Sequence, residues 1–315
     1  MTSIFDSLTW HEVQVTGNAA ARHIPLVYGE VGTSGTRITL IAGTHGDEGP
    51  WSALTMKKLL RHPIESLKGR IRVIPTANAL AAEANTRNST IDSPNGFDLD
   101  SCFPGTMDGS ITQSHTQRLA AHLTPLLDDS DVIIDLHGGG SWCVNAFVKR
   151  FEGSEQLAID MGAPFIADAP NKPGGLTTYA RSKGIKVVNV EVGGRSGAEM
   201  YWIDQITVGM ERALYNMEVL SLDTPPSPPE PATDVSGTEV MRAQVGGIFV
   251  PTVDQEVVGK ILPAGTELGK ILDLHTLEEL QVFTAPHAQT AMMLLRPQIC
   301  VVEGSALVYV IAQPL

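Results

Sequence analysis

Positive charge is scarce in this chain of 315 residues, which carries 22 Lys and Arg against 35 Asp and Glu and has a formal net charge of −13. A field of that sign repels phosphate backbones and anionic lipid surfaces. The composition therefore argues against nucleic acid and against a membrane surface as partners. An acidic, well-solvated surface that keeps the protein in solution accounts for the imbalance.

Cysteine and long apolar runs are scarce as well. The three cysteines, Cys102, Cys143 and Cys300, form no C-x-x-C pair, so a disulfide framework and a thiolate metal site are both disfavoured. No apolar run approaches the ~18 residues that span a bilayer, and the first residues lack the basic and apolar segments of a secretory signal. We expect a cytoplasmic protein in which any metal site uses histidine and carboxylate ligands.

What the sequence does contain is enough apolar material, 43% of residues, for one or two globular cores. Short β-branched runs alternate with segments of helical spacing, which favours an α/β sheet with helices on its faces. The predicted strands are 36–43, 71–78, 131–137 and 185–192, and the predicted helices are 51–62, 114–129 and 200–220.

A proline-rich segment divides the chain. Five prolines lie between Pro225 and Pro231, and their rigidity predicts a stiff extended linker. The short apolar segments beyond it, punctuated by glycine, predict a small all-β module. We therefore expect a catalytic domain over 1–222, a linker over 223–234 and a C-terminal β domain over 235–315.

Ionisable side chains follow three of the predicted strands at the point where each strand ends. His45 and Glu48 come after the first, His137 ends the third, and Glu191 ends the fourth, each beside glycines. Open α/β sheets bind ligands outside the carboxyl ends of their strands. We therefore expect these four side chains to converge on one site.

The spacing of His45 and Glu48, three residues apart on a glycine-flanked loop, lets an imidazole and a carboxylate reach one ion. With His137 they form a two-histidine, one-carboxylate set, a known arrangement of catalytic zinc. Taken alone, His137 is better interpreted as a buried histidine that closes a strand, and Asp135 changes this balance. Asp135 projects to the same side and could accept a hydrogen bond from a ligating imidazole, or else cap a neighbouring loop.

Two further residues suit hydrolysis. Glu191 ends an apolar run, where a carboxylate needs a partner; it is interpreted as a general base, with an ion pair to Arg195 as the alternative. Arg87 is interpreted as the group that polarises the scissile carbonyl, with an exposed helix-end arginine as the alternative.

These residues and motifs together resemble the succinylglutamate desuccinylase/aspartoacylase family, a branch of the zinc carboxypeptidase fold. The resemblance covers roughly residues 30–220 and keeps the motifs in the family's order. The matching motifs are GTHGDEG (43–49), NALA with the following Arg87 (78–87), DLxxxFPG (98–105), DLHGG (135–139) and EVGG (191–194).

The resemblance implies a zinc-carboxypeptidase-like α/β/α sandwich with a mixed sheet, followed by the small all-β, barrel-like domain of many prokaryotic members. It also implies one Zn²⁺ per chain on His45, Glu48 and His137, with Glu191 as the catalytic carboxylate and Arg87 as the carbonyl-polarising arginine. Asn78, which opens the NALA motif, is assigned to the substrate side of the site.

One motif departs from the family pattern. The family usually reads DLNRxFPG, in which the Asn-Arg pair binds a substrate carboxylate, whereas this chain has Asp100 and Ser101 at those positions. Serine cannot replace the bidentate recognition that arginine gives. Our hypothesis is that Asp100 and Ser101 bind a cationic or neutral group, such as an amine. The alternative is that another arginine replaces the missing one: Arg150, Arg181 or Arg195.

The sequence thus predicts a zinc-dependent deacylase that cleaves the amide bond of a small N-acylated amino acid or diamine. Two other classes stay open: a non-catalytic relative that binds a metal or small ligand, and a metallopeptidase acting on short peptides. The expected partner is a small-molecule substrate, and a homo-oligomer is compatible with the sequence.

Overall fold

The computed structural model describes residues 2–18, 22–92, 97–107, 114–194 and 199–315. The α-helices in these ranges are α1 (Gly49–Leu59), α2 (Ala79–Ala84), α3 (His115–Asp128), α4 (Glu155–Met161), α5 (Leu176–Ser182) and α6 (Glu199–Asn216). None of these helices is both long and apolar enough to cross a bilayer.

The strands are more numerous than the sequence analysis predicted. In chain order they are β1 (Thr9–Thr16), β2 (His23–Val31), β3 (Arg37–Ala42), β4 (Arg70–Ile74), β5 (Val132–His137), β6 (Val144–Arg150), β7 (Phe165–Asp168), β8 (Lys186–Gly193), β9 (Thr233–Arg242), β10 (Gly247–Pro251), β11 (Ile261–Pro263), β12 (Glu267–Leu272), β13 (Glu279–Thr284), β14 (Gln289–Leu295), β15 (Cys300–Val302) and β16 (Leu307–Pro314).

One large mixed sheet organises the molecule. Its order is β1-β2-β4-β3-β5-β8-β6-β7-β9-β16-β14-β11. The four predicted strands correspond to β3, β4, β5 and β8, which run parallel as neighbours. Strand β6 then pairs antiparallel with β8, which makes the sheet mixed. The carboxyl ends of β3, β5 and β8 therefore lie side by side, as the strand-end argument required.

Helices cover both faces of this sheet. The core on one face holds Trp51 and Met56 of α1 and Met210 of α6. The core on the other face holds Leu123 of α3 and Leu176 of α5. Because strands such as β3 and β5 are buried on both sides, most of their residues are apolar and do not alternate with polar ones. The α/β/α arrangement confirms the predicted fold class.

The predicted helices correspond to α1, α3 and α6. Helix α3 begins with a capping box: the Ser114 hydroxyl accepts from the Gln117 backbone N–H at 3.1 Å, and the Gln117 side chain accepts from the Ser114 N–H at 3.0 Å. Reciprocal bonds of this kind satisfy two backbone donors that a helix start otherwise leaves open. The start of α3 is thus encoded locally.

The C-terminal strands form an antiparallel region, as expected. Strands β10, β12, β13 and β15 make a separate four-stranded sheet. The rings of Phe249, Phe283 and Tyr309 pack edge to face between the layers, with centroids 5.6–6.1 Å apart.

Other C-terminal strands continue the large sheet. Strand β9 pairs in parallel with β7, and β14 pairs with β6 through Leu294 opposite Asn145. Backbone hydrogen bonds therefore join strands that precede the proline-rich segment to strands that follow it. The domain boundaries at 222 and 234 stay a prediction.

Replacing Leu40 of β3 with alanine is expected to lower the free energy of unfolding by about 2–5 kcal/mol, because it leaves a cavity in a fully buried strand. Leu54→Ala on α1, where the side chain is 53% exposed, is the matched control and should change it by less than about 0.5 kcal/mol. Urea unfolding followed by circular dichroism measures both. Equal losses in the two variants would contradict the assigned core.

Candidate active site

Two chain segments bring together three atoms that could bind a metal ion. His45 and Glu48 lie on the loop between β3 and α1, and His137 is the last residue of β5. The Nδ1 atoms of the two histidines are 3.1 Å apart, and each lies 3.0 Å from Glu48 Oε2. All three side chains are buried. The structure therefore confirms that the predicted ligands converge.

The donor set fits a zinc ion. Zn–N bonds of about 2.0–2.1 Å in tetrahedral geometry place neighbouring ligand atoms about 3.3 Å apart, close to the observed separations. When the outward nitrogen of each imidazole carries the proton, the three inward atoms present only lone pairs to one another. A cation between them converts this repulsion into attraction.

The outward nitrogens of both histidines face carboxylates. His45 Nε2 lies 3.0 Å from Asp98 Oδ1, and His137 Nε2 lies 3.1 Å from Asp135 Oδ1. The second contact is close but does not meet the geometry of a hydrogen bond. Asp135 is itself held by Asn189, whose Nδ2 donates to its other oxygen at 3.0 Å. Carboxylates in such places fix the orientation and tautomer of ligating imidazoles.

The protonation of Glu48 follows from its neighbours. Burial alone would raise the pKa of Glu48, but the adjacent His45 and His137 hold that pKa well below its ordinary value. Glu48 Oε2 also accepts from the Gly138 backbone N–H at 3.3 Å. Glu48 is therefore a carboxylate, the form that binds a cation.

A close backbone approach fixes the ligand loop. A Cβ added at Gly46 would lie 2.0 Å from the carbonyl carbon of Ala81 in α2, so only glycine fits between His45 and Glu48. The next residue, Asp47, accepts from both the backbone N–H and the hydroxyl of Ser141, at 2.9 and 2.8 Å. This side chain ties the loop that carries two ligands to the loop that follows the third.

Arg87 lies beside the metal-binding atoms. Its guanidinium donates to Glu48 Oε1 at 3.1 Å and to Asp98 Oδ2 at 3.4 Å. Because these bonds use one N–H of each terminal nitrogen, other N–H groups are available for a ligand. The side chain is 44% exposed, so its role toward substrate stays a prediction.

Glu191 stands opposite His137 in the ladder between β8 and β5, so both side chains project to the same face. Its carboxylate accepts from Asn145 Nδ2 at 3.0 Å and from Lys149 Nζ at 2.7 Å, both on β6. Burial would lower the pKa of Lys149, but the charge of Glu191 raises that pKa above its ordinary value. Arg195, the alternative partner, lies outside the described residues.

The three residues assigned to the substrate have different surroundings. Asn78 is fully buried and caps α2, where its Oδ1 accepts from the Ala81 N–H at 3.3 Å. Ser101 is exposed. Asp100 accepts from the Leu176 N–H and from Lys172 Nζ, each at 3.0 Å. Their roles toward substrate stay predictions.

Among the described residues, the cation beside Asp100 is Lys172, whereas Arg150 and Arg181 pair elsewhere and Arg195 lies outside the described residues. Arg150 pairs with Asp168 and Asp234. Arg181 donates to Asn171 at 2.8 Å. Lys172 instead lies on the loop between β7 and α5.

Several residues of the site carried no decisive sequence signal. Asp98 opens the DLxxxFPG motif, and its place at the head of that motif is the clue that could have singled it out. Asn145 and Lys149 interrupt an apolar strand at positions of one face, which is a weaker signal. Lys172 lies between Asn171 and Pro173 in a loop without any motif.

The family of this chain follows from the sequence of its catalytic region. Residues 34–217 match the model of the succinylglutamate desuccinylase/aspartoacylase catalytic domain. The chain belongs to this family. Its members are deacylases that cleave amide bonds of small molecules.

One curated relative of the family is the N-alpha-acetyl-L-2,4-diaminobutyric acid deacetylase of Halomonas elongata. It is 36% identical over 106 residues, which are 34% of this chain and 29% of the relative's length. The match therefore spans less than a third of that protein.

Solved structures share the fold over nearly the whole chain. The product-bound ectoine utilization protein EutE (DoeB) of Ruegeria pomeroyi has a TM-score of 0.83 at 18% identity and covers 97% of this chain and 95% of its own. A succinylglutamate desuccinylase/aspartoacylase of Rhodobacter sphaeroides has a TM-score of 0.80 at 21% identity, with coverages of 98% and 95%. These similarities establish the fold, including its C-terminal β region.

Replacing Gly46 with alanine should reduce the metal content of the purified protein by about tenfold or more, since the new methyl group displaces the loop that carries His45 and Glu48. The control is Gly304→Ala, where the nearest atom to the added Cβ is 3.8 Å away. Elemental analysis by mass spectrometry after dialysis gives the metal content. Full metal occupancy in Gly46→Ala would contradict the assigned close approach.

Proposed function

We propose that this chain is a zinc-dependent deacylase that hydrolyses the amide bond of a small N-acylated amino acid. The observation that carries the proposal is the convergence of His45 Nδ1, His137 Nδ1 and Glu48 Oε2 within 3.1 Å, with Arg87 bonded to the same glutamate. Two histidines and one carboxylate leave a position open for water or substrate, which distinguishes catalytic from structural zinc sites.

Zinc is the preferred ion because its borderline character suits imidazole and carboxylate ligands together. When bound, it lowers the pKa of a coordinated water toward neutrality and polarises a carbonyl oxygen. The three ligands hold it at the edge of the sheet where the other site residues gather.

Glu191 is proposed as the general base. Lys149 and Asn145 occupy its two oxygens from one side and fix its orientation. As a carboxylate it takes a proton from the attacking water while the oxygen bonds to the acyl carbon. It then delivers the proton to the amide nitrogen as the C–N bond breaks, which releases a carboxylic acid and an amine.

Arg87 is proposed to stabilise the oxyanion. The Glu48 and Asp98 contacts fix the guanidinium without using all of its donors. A fixed cation directed at developing negative charge stabilises the transition state more than the ground state.

The substrate class rests on the family and on the Halomonas elongata relative, whose name specifies an acetylated diamino acid. We propose N-acylated amino acids as the class and Nα-acetyl-L-2,4-diaminobutyrate as its first candidate. The Asp100 hypothesis adds N-acylated diamines as a second candidate.

Removal of zinc by a chelator should abolish release of acetate from Nα-acetylated amino acids, and added Zn²⁺ should restore it. Glu191→Gln should lower kcat by about 10²–10⁴-fold while zinc content stays unchanged, because it removes a proton-transfer group and not a ligand. The control is Glu256→Gln, an exposed residue of the C-terminal region.

Zinc binding without turnover of any acylated amino acid or amine would instead identify a non-catalytic metal binder. Cleavage confined to peptides would identify a peptidase. Full activity of Glu191→Gln would rule out the proposed base.

Replacing Lys149 with methionine should lower kcat by about tenfold or more with little change in KM, because Glu191 loses the cation that holds it. Lys149→Arg keeps the charge and should retain more activity. Lys186→Met, an exposed lysine of β8, serves as the control. A rise in KM alone would show that Lys149 contacts substrate and does not position Glu191.

A further inference from the structure

Lys172 is brought to the edge of the candidate active site by the loop between β7 and α5. Its Nζ lies 3.0 Å from Asp100 Oδ2 and 3.4 Å from Asp98 Oδ2. The other oxygen of Asp98 contacts His45, a metal-binding residue, at 3.0 Å. A single carboxylate therefore separates the lysine from the metal-binding group.

Tight backbone packing holds this loop against the segment 98–103. A Cβ added at Gly174 would lie 2.3 Å from the carbonyl oxygen of Ser101, and the Gly174 carbonyl accepts from the Phe103 N–H at 2.8 Å. The Asp100 carboxylate also accepts from the Leu176 N–H at 3.0 Å.

The backbone of Lys172 is itself anchored. Its N–H donates to the Thr178 hydroxyl at 2.9 Å, and its carbonyl accepts from the Gly175 N–H at 2.8 Å. The position of the lysine is therefore built into the fold rather than left to a free loop.

The cations at this edge are more exposed than the acids that hold them. The side chains of Lys172 and Arg87 are each 44% exposed, against 27% for Asp98 and 19% for Asp100. A lysine has three N–H donors, and two of them are used here. The third is available to an entering ligand, and an anion suits it.

We propose that Lys172 binds the carboxylate of the substrate and makes the enzyme select N-acylated amino acids over N-acylated amines. This inference rests on the proposed deacylase function and specifies its substrate. Asp100 then has a different role from the one expected from the sequence: it holds Lys172 in place, and its own charge is already balanced.

The position of the lysine fits the chemistry of such a substrate. In an N-acylated amino acid the carboxylate is two bonds from the amide nitrogen, so its anchor must lie close to the group that attacks the amide. Lys172 meets this requirement through Asp98, which contacts both the lysine and His45.

The test uses two acetylated amines that differ by one carboxylate: Nα-acetyl-L-2,4-diaminobutyrate and N-acetyl-1,3-diaminopropane. We expect the zinc-loaded wild-type protein to prefer the first by about tenfold or more in kcat/KM. Lys172→Met should raise KM for the first substrate by about tenfold or more, with little change in kcat, and should leave the second unaffected.

Two further variants accompany the test. Lys172→Arg should restore most of the preference, since it keeps a cation at the site. Lys183→Met, at the end of α5 and away from the site, should behave as wild type. Zinc content and the midpoint of unfolding, measured for every variant, show whether the proteins compared are equally folded and loaded.

Three outcomes would overturn the inference. If folded, zinc-loaded Lys172→Met keeps the preference for the substrate that has a carboxylate, Lys172 does not bind that carboxylate. A wild-type preference for the compound without a carboxylate favours Asp100 as a receptor for an amine. If the wild type cleaves no acetylated amino acid from a panel of the common side chains, the proposed function fails and this inference fails with it.

Discussion

Three electron-rich atoms, one each from His45, Glu48 and His137, lie within 3.1 Å of one another, and the rest of the site depends on this crowding. Such atoms repel unless a proton or a cation lies between them. The fold brings them together because β5, which ends at His137, is buried on both faces and Glu48 is the N-cap residue of α1. Asp98 and Asp135 then orient the imidazoles from outside.

The convergence of His45, Glu48 and His137 was predictable because the signal of each residue is local. Each follows a run of buried β-branched residues, and parallel strands present their carboxyl ends at one edge of the sheet. The same reasoning placed Glu191 beside His137, and the ladder between β8 and β5 sets these two residues opposite each other. For these residues, the apolar pattern and the order of parallel strands were together sufficient to predict that the side chains lie close together.

The remaining contacts join residues that local patterns do not relate. His45 meets Asp98 across 53 positions, Lys149 meets Glu191 across 42, and Lys172 meets Asp100 across 72. Their partners depend on how loops fold back over the sheet, which periodicity does not encode. For the same reason, composition did not predict that β9 and β14 pair with β7 and β6 of the large sheet. A strand has the same apolar pattern whichever sheet edge it pairs with.

The pairing of β14 with β6 has a consequence for the surroundings of Glu191. Strand β6 carries Asn145 and Lys149, which hold the Glu191 carboxylate, and Leu294 of β14 lies opposite Asn145. The C-terminal strands therefore support β6, the strand that holds the Glu191 carboxylate, from the side away from β8. Leu294 of β14 is therefore one backbone pair away from a side chain that holds Glu191, although β14 contributes no residue to the candidate site.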